Sequence, residues 1–165
     1  MKKPTLLKSV FIVSFFLLSS GLCLAQTEEE KTEAKKMFKE GVSFFESGKH
    51  AQALEAFQQS YKFRPLWAIR FNLGLCYKEL GMYTRAKHEF YLFLEEGGSE
   101  VKSSMKKQVE QELAQLAGTI AFMEIALDVE DAHISMDGKS IGKSPLERKV
   151  EIDPGSHILS VSKKG

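Results

Sequence analysis

The residues able to do chemistry are few and scattered. Four histidines, His50, His88, His133 and His157, stand far apart, without the i, i+4 or Cys/His spacings from which a zinc site is built. Cys76 is the one nucleophile worth weighing, but it falls between Leu75 and Tyr77 in a helical segment, where a thiol behaves as a small apolar filler. Asp137-Gly138-Lys139 offers glycine and lysine in a hairpin turn, without the helix N-terminus that a phosphate loop uses. The carboxylate pairs Glu95-Glu96 and Glu130-Asp131 occupy turns and read as solvated rather than as an acid and base pair. The sequence therefore predicts no catalytic constellation, no metal site and no cofactor, and the expectation is a protein that is not an enzyme.

What must position side chains here is a repeat. Gly41, Phe44, Gly48, Ala53 and Phe57 recur thirty-three residues later as Gly74, Tyr77, Gly81, Ala86 and Phe90, the period of a solenoid made from helix pairs. Thr27 followed by Glu30 is a capping-box start, and Met37, Phe38, Gly41, Phe44 and Phe45 recur at helical spacing, so a first helix is predicted from there to about Ser47. A second carries Ala53, Leu54, Phe57 and Tyr61 until Pro65 stops it. The plan repeats from about Leu66 to Leu80, with Gly81 as its stop, and from Met82 to Glu95, ending at Gly97-Gly98. Gly41, Gly74, Ala53 and Ala86 are expected to let the helices of a pair approach closely, with Phe57 and Phe90 filling the space between neighbouring pairs. Two pairs leave an open end. The segment Glu100 to Leu116, with Val101, Met105, Val109, Leu113 and Leu116 on one stripe, is expected to close it.

The second copy, Asn72-Leu73-Gly74-Leu75-Cys76-Tyr77 followed by Ala86 and Phe90, resembles a tetratricopeptide repeat. The first copy resembles the same family through Gly41, Phe44, Ala53, Phe57 and Pro65, with Glu40 where the pattern has leucine. The resemblance implies two repeats, about 34–66 and 67–98, within a helical unit of residues 26–117 that includes the closing helix at about 100–116. In that family the first helix of each pair lines a concave surface that binds a peptide. The resemblance thus implies a groove offering Phe38, Val42 and Phe45 from one repeat and Phe71, Asn72 and Leu75 from the next, with Lys78 and Glu79 as flanking charges. Members that grasp a terminal carboxylate carry lysine and asparagine at the positions held here by Phe38 and Val42. Only Asn72 matches that clamp, so a chain-terminal carboxylate is not the expected ligand. The competing reading of Phe38, Phe45 and Phe71 is packing against the 100–116 helix, which would leave no open groove.

After Gly118 the period changes from helical to alternating. Ala132, Ile134 and Met136 alternate with His133 and Ser135, Asp137-Gly138 is a hairpin turn, and Val150 and Ile152 alternate before the Pro154-Gly155 turn. His157, Leu159 and Val161 are expected to share one face of a last strand. The stretch 118–165 resembles a PEGA domain, a small β-sandwich module of bacterial envelope proteins. The carrying residues are Gly118-Thr119-Ile120, the run Ala132 to Lys139, Ile141-Gly142-Lys143-Ser144-Pro145-Leu146, Pro154-Gly155-Ser156-His157 and Lys164-Gly165. The family normally continues beyond that last glycine, so the module reads as incomplete. The fold class expected for the whole is α+β, helical repeats followed by a small all-β sandwich-like unit.

Lys2, Lys3 and Lys8 precede the apolar run Val10 to Leu18, and Cys23-Leu24-Ala25 has the small residues of a cleavage site, so residues 1–25 read as a secretory signal. The alternatives are an uncleaved anchor and a lipidated Cys23, and these are the only routes to a membrane. Removing the three lysines takes 23 basic and 22 acidic residues to 20 and 22, a net charge of −2 with interspersed signs. That balance lacks the electrostatic footprint of a nucleic-acid partner. After cleavage only Cys76 remains, so stability comes from packing and not from a disulfide. The reading as a whole is an exported, periplasmic or envelope adaptor that binds a partner protein or peptide through the repeats. The alternative is a wall- or glycan-associated structural protein acting through the β module, whose one aromatic residue is Phe122.

Overall fold

The structure, a computed structural model, describes residues 27–163. The expected leader at 1–25, Cys23 included, and the Lys164-Gly165 end of the PEGA-like pattern lie outside the described residues. The fold is α+β: five helices, then two small antiparallel sheets.

Helix α1 (Glu28–Glu46) begins where the sequence places its cap. Thr27 Oγ1 accepts from the Glu30 amide at 3.1 Å while the Thr27 amide donates to Glu30 Oε2 at 2.9 Å, satisfying two otherwise orphaned groups. Three glutamates in the first turn oppose the positive helix end. α1 stops at Gly48, whose φ of +72° suits a residue without a Cβ. There the Gly48 amide donates to Phe45 O at 3.0 Å and the Lys49 amide to Phe44 O at 2.9 Å, the paired bonds of a glycine-terminated helix. α2 (His50–Phe63) follows and ends before Pro65. α3 (Trp67–Glu79) ends by the same device: Gly81 has φ +73°, its amide donates to Lys78 O at 3.0 Å, and the Met82 amide donates to Tyr77 O at 2.9 Å. α4 (Tyr83–Gly97) and a short 3-10 turn (Gly98–Glu100) lead into α5 (Ser103–Ala117).

The packing corrects one sequence expectation. Phe57 and Phe90 do not fill the space between neighbouring pairs; each lies inside its own pair, on the glycine of the opposing helix. A Cβ added to Gly41 would stand 2.7 Å from two Phe57 ring atoms, and one added to Gly74 would stand 2.6 Å from Phe90 Cε1. The absent side chain leaves a socket that the ring occupies, and full burial of such a ring contributes about 2 to 3 kcal/mol. Ala53 and Ala86 are wholly buried at the same crossings. Across the pair boundary the contacts include Gln58 Nε2 to Tyr77 Oη at 3.0 Å. α5 closes the helical stack with Val109 and Leu116 fully buried. Its Glu112 takes an ion pair from Lys78 at 2.6 Å.

In the β module, β1 (Ala121–Met123) pairs antiparallel with β4 (Val150–Ile152). A second sheet has the order β3 (Lys139–Lys143), β2 (His133–Met136), β5 (Leu159–Ser162), all antiparallel. Ala132, Ile134, Met136 and Val150 are the buried apolar residues of these sheets and their connections. The final strand is not as expected. His157 precedes it and turns its ring to other work, and Leu159 and Val161, aligned with Met136 and Ile134, remain 41% and 45% exposed. The two halves touch. Ile120 joins the helical core, Thr84 of α4 is bonded by Asp153, and Lys87 pairs with Glu151.

Candidate partner-binding site

The first helices of the two pairs carry the surface on which the sequence placed a groove, and the structure distributes its residues unequally. Phe38 leans on Phe57 with ring centroids 5.5 Å apart, and Phe71 meets Phe90 at 5.8 Å and Phe93 at 5.7 Å. Phe45 stands edge-on to His50 at 5.0 Å. Val42 and Leu75 are half-buried against the core, and Asn72 is half-buried on α3. Lys78 is engaged by Glu112 and lies 3.4 Å from Gln115 Oε1, so α5 holds this charge, while Glu79 is exposed.

A cleft of about 600 Å³ opens at the other end of this surface. One wall is the first half of α1 and the other is the α2–α3 connection with the start of α3. Its floor is apolar, formed by Ala34, Phe38 and Ile69, with Leu66 and Ala68 exposed at the far side. Ser60 is buried at the bottom and spends its hydroxyl on Ala34 O at 2.8 Å, so the floor presents no unsatisfied polar group there. Phe38 is the one sequence-predicted site residue that lines this cleft.

The rim is charged and unbalanced. Lys31, Lys35 and Arg64 face Glu28, three cations against one carboxylate. Lys31 is paired with Glu28 at 2.7 Å, and the Glu28 carboxyl is held below its ordinary value by that hydrogen bond first and by the charge of Lys31 next. Lys35 and Arg64 form no close ion pair among the described residues, although the Arg64 charge also acts on Glu28 from a distance. Lys35 and Arg64 stand on different walls, on a chain whose charge past residue 25 is negative by two. Sequence reasoning missed Lys35, Arg64, Leu66 and Ala68. The Arg64-Pro65-Leu66 break was visible as a helix stop, but only the chain reversal brings it opposite Lys35.

Other chemistry-bearing side chains are used for structure. Cys76 is fully buried, and burial, reinforced by the Glu79 charge, pushes its thiol up to about 12, so it is a thiol and not a thiolate near neutrality. Arg70 of α3 grips Glu96 through Nε and Nη2 at 3.1 and 2.7 Å, Glu89 at 3.0 Å and Tyr61 Oη at 2.6 Å, stapling three helices. Among the described residues no cluster of three or more His, Cys, Asp or Glu is placed to hold a metal ion, and no helix is long and apolar enough to cross a membrane.

The tetratricopeptide repeat pattern matches residues 37–62 and 68–96, which are the bodies of the α1–α2 and α3–α4 pairs. No curated protein matches the chain. The helical part thus matches the tetratricopeptide repeat twice, a pattern whose general use is protein–protein interaction, and the cleft lies on the first helices of both matched pairs.

Proposed function

We propose that the protein is a non-enzymatic scaffold that captures an extended segment of a partner protein in the cleft between α1 and the start of α3. The observation that carries this reading is the coincidence of an open apolar floor, Phe38 and Ile69, with the first helices of two matched repeats. Apolar side chains of the partner displace water from that floor, while Lys35 and Arg64 favour carboxylates on either flank. The ligand chemistry that fits is therefore an apolar residue between acidic ones. The basic leader and apolar run at residues 2–18 support export, and the PEGA-like stretch 118–165 supports a place in a bacterial envelope, with the β module as the envelope-associated unit. The glycan-associated reading has one favourable observation, Phe122 of β1, which is 62% exposed. A single ring is a poor stacking platform, so that reading stands second.

The test uses a labelled peptide with Leu-Phe between glutamates, beside a twin with glutamines in their place. Two exposed ion pairs at up to about 1 kcal/mol each amount to at most roughly a thirtyfold preference for the acidic peptide at low salt, shrinking as salt is added. Ala68→Arg, an exposed position that fills the cleft, should abolish binding of both while the far-UV spectrum stays unchanged. Lys35→Glu with Arg64→Glu should remove the preference alone. Peptide binding that is indifferent to Ala68→Arg would refute the cleft as the site.

A further inference from the structure

At the junction of the two halves one histidine faces two acceptors. His157 Nδ1 lies 2.7 Å from Asp137 Oδ2, and Nε2 lies 2.7 Å from the carbonyl oxygen of Asp153. Neither a carboxylate nor a carbonyl can donate. A neutral imidazole carries one N–H and satisfies one of them, whereas the imidazolium satisfies both. The second acceptor belongs to the residue that joins the halves. Asp153 Oδ1 accepts from the Thr84 backbone N–H at 2.7 Å and Oδ2 from the Thr84 hydroxyl at 3.2 Å. Met82 at the N-cap of α4 has no capping side chain, so the β module supplies the cap, a carboxylate at the positive end of the helix.

We propose that His157 is a pH-operated latch: protonated, it clamps the Asp137 turn to the Asp153 loop and holds Asp153 on the start of α4, and on losing a proton it frees one of the two and loosens the β module from the repeats. The groups facing it from each packed element are few. The β2–β3 turn brings Asp137, on which Lys139 also acts; the β4–β5 loop brings Asp153; beyond Asp153 lie Thr84 of α4, bonded to its carboxylate, and Lys87, paired with Glu151. The turn is itself fixed, since Asp137 Oδ1 accepts from the Ile158 amide at 2.9 Å. All the groups that act on His157 favour its charged form except its partial desolvation, so its pKa is raised, by the Asp137 hydrogen bond first and the Asp153 carbonyl next. Asp137 is lowered, by the His157 hydrogen bond first and the Ile158 amide next.

The sign follows from these directions. A raised histidine contributes fully below its ordinary value of 6.5 and loses its contribution as pH climbs through the raised one. A lowered carboxylate contributes above its ordinary 3.8 and fails as pH falls through the lowered one. The latch is closed between those two ordinary values and opens as pH climbs through the raised His157 value. Closure is thus favoured in mildly acidic surroundings, within the range where histidine is the usual switch.

The experiment is a pH titration of the full chain by NMR, following the His157 ring and the Thr84 backbone amide together. The expected result is one shared midpoint above 6.5, with the Thr84 shift moving as the ring deprotonates. His157→Gln should leave the Thr84 amide without a transition there, and Asp137→Asn should lower both midpoints by the same amount. A Thr84 amide that stays flat while His157 titrates overturns the latch, as does a His157 midpoint at or below 6.5. If His157→Gln fails to fold, Asp137→Asn decides: a ring midpoint that falls while the Thr84 transition stays in place overturns the proposal.

Discussion

Gly74→Ala isolates the contact on which each repeat turns. A methyl added there would sit 2.6, 2.8 and 3.0 Å from three atoms of the Phe90 ring, where carbon contacts settle near 3.5 to 4.0 Å. The ring must therefore retreat by about 1 Å, yet it is wholly buried and backed by Phe71 at 5.8 Å between centroids. Overpacking of this kind costs about 1 to 3 kcal/mol. Replacing glycine by alanine within a helix returns about 1 kcal/mol, so a net loss of up to about 2 kcal/mol is expected. Urea denaturation followed by far-UV circular dichroism measures it. The decisive arm is the same substitution in a Phe90→Leu background, where the ring is gone and alanine should become neutral or stabilising. Gly118→Ala is the control, because its added methyl would meet only Gln115 O at 3.6 Å, and it should change stability by less than about 0.5 kcal/mol. A Gly74→Ala cost that persists unchanged without the Phe90 ring would refute the socket argument. The same holds for Gly41 and Phe57, the equivalent pair in the first repeat.

Three further outcomes follow from the packing. Arg70→Ala removes the staple among α2, α3 and α4 and leaves Glu89 and Glu96 without their partner, and it should cost about 2 to 3 kcal/mol by denaturation. Cys76, with its thiol held up to about 12 and no exposure, should resist iodoacetamide in the native state at mildly alkaline pH and react once urea unfolds the chain; rapid native labelling would contradict its burial. Lys78→Ala should loosen α5 by about 1 kcal/mol or less, read as faster amide exchange across Ser103–Ala117, with α1 and α2 unaffected.

The helical half was legible because its rules are local. Thr27 and Glu30 cap, Gly48 and Gly81 stop, Pro65 separates, and a fixed thirty-three-residue spacing of small and aromatic residues announces paired helices. Less legible was which partner each aromatic meets. The sequence gives Phe57 and Gly41 their spacing along the chain, but the choice between packing within a pair and between pairs depends on the crossing geometry. The β module shows the same limit. β1, only three residues long, has no alternation to betray it, because Ile120, Ala121, Phe122 and Met123 form an unbroken apolar run. His157 was expected on the face of the last strand, but its ring is drawn into the turn by acceptors twenty and four residues away.

The site was the least legible part, since it is made by chain reversal. Phe38 was found because the repeat register points to it, while Lys35 and Arg64 are separate exposed cations in the sequence and become one rim only when α2 folds back along α1 and carries Arg64 at its end. Arg70 is a charge whose structural role was equally invisible in the sequence. Spacing along α3 says nothing of its partners, and in the fold Glu89 and Glu96, on one face of α4, consume it.

The measurement that tests the central claim most directly is a map of backbone amide shifts on adding the Leu-Phe peptide flanked by glutamates to the labelled chain. The perturbed amides should cluster at Lys35, Phe38, Arg64, Leu66 and Ala68, with the β module silent. Shifts confined to the β module, or spread evenly over the surface with none at these five positions, would contradict it.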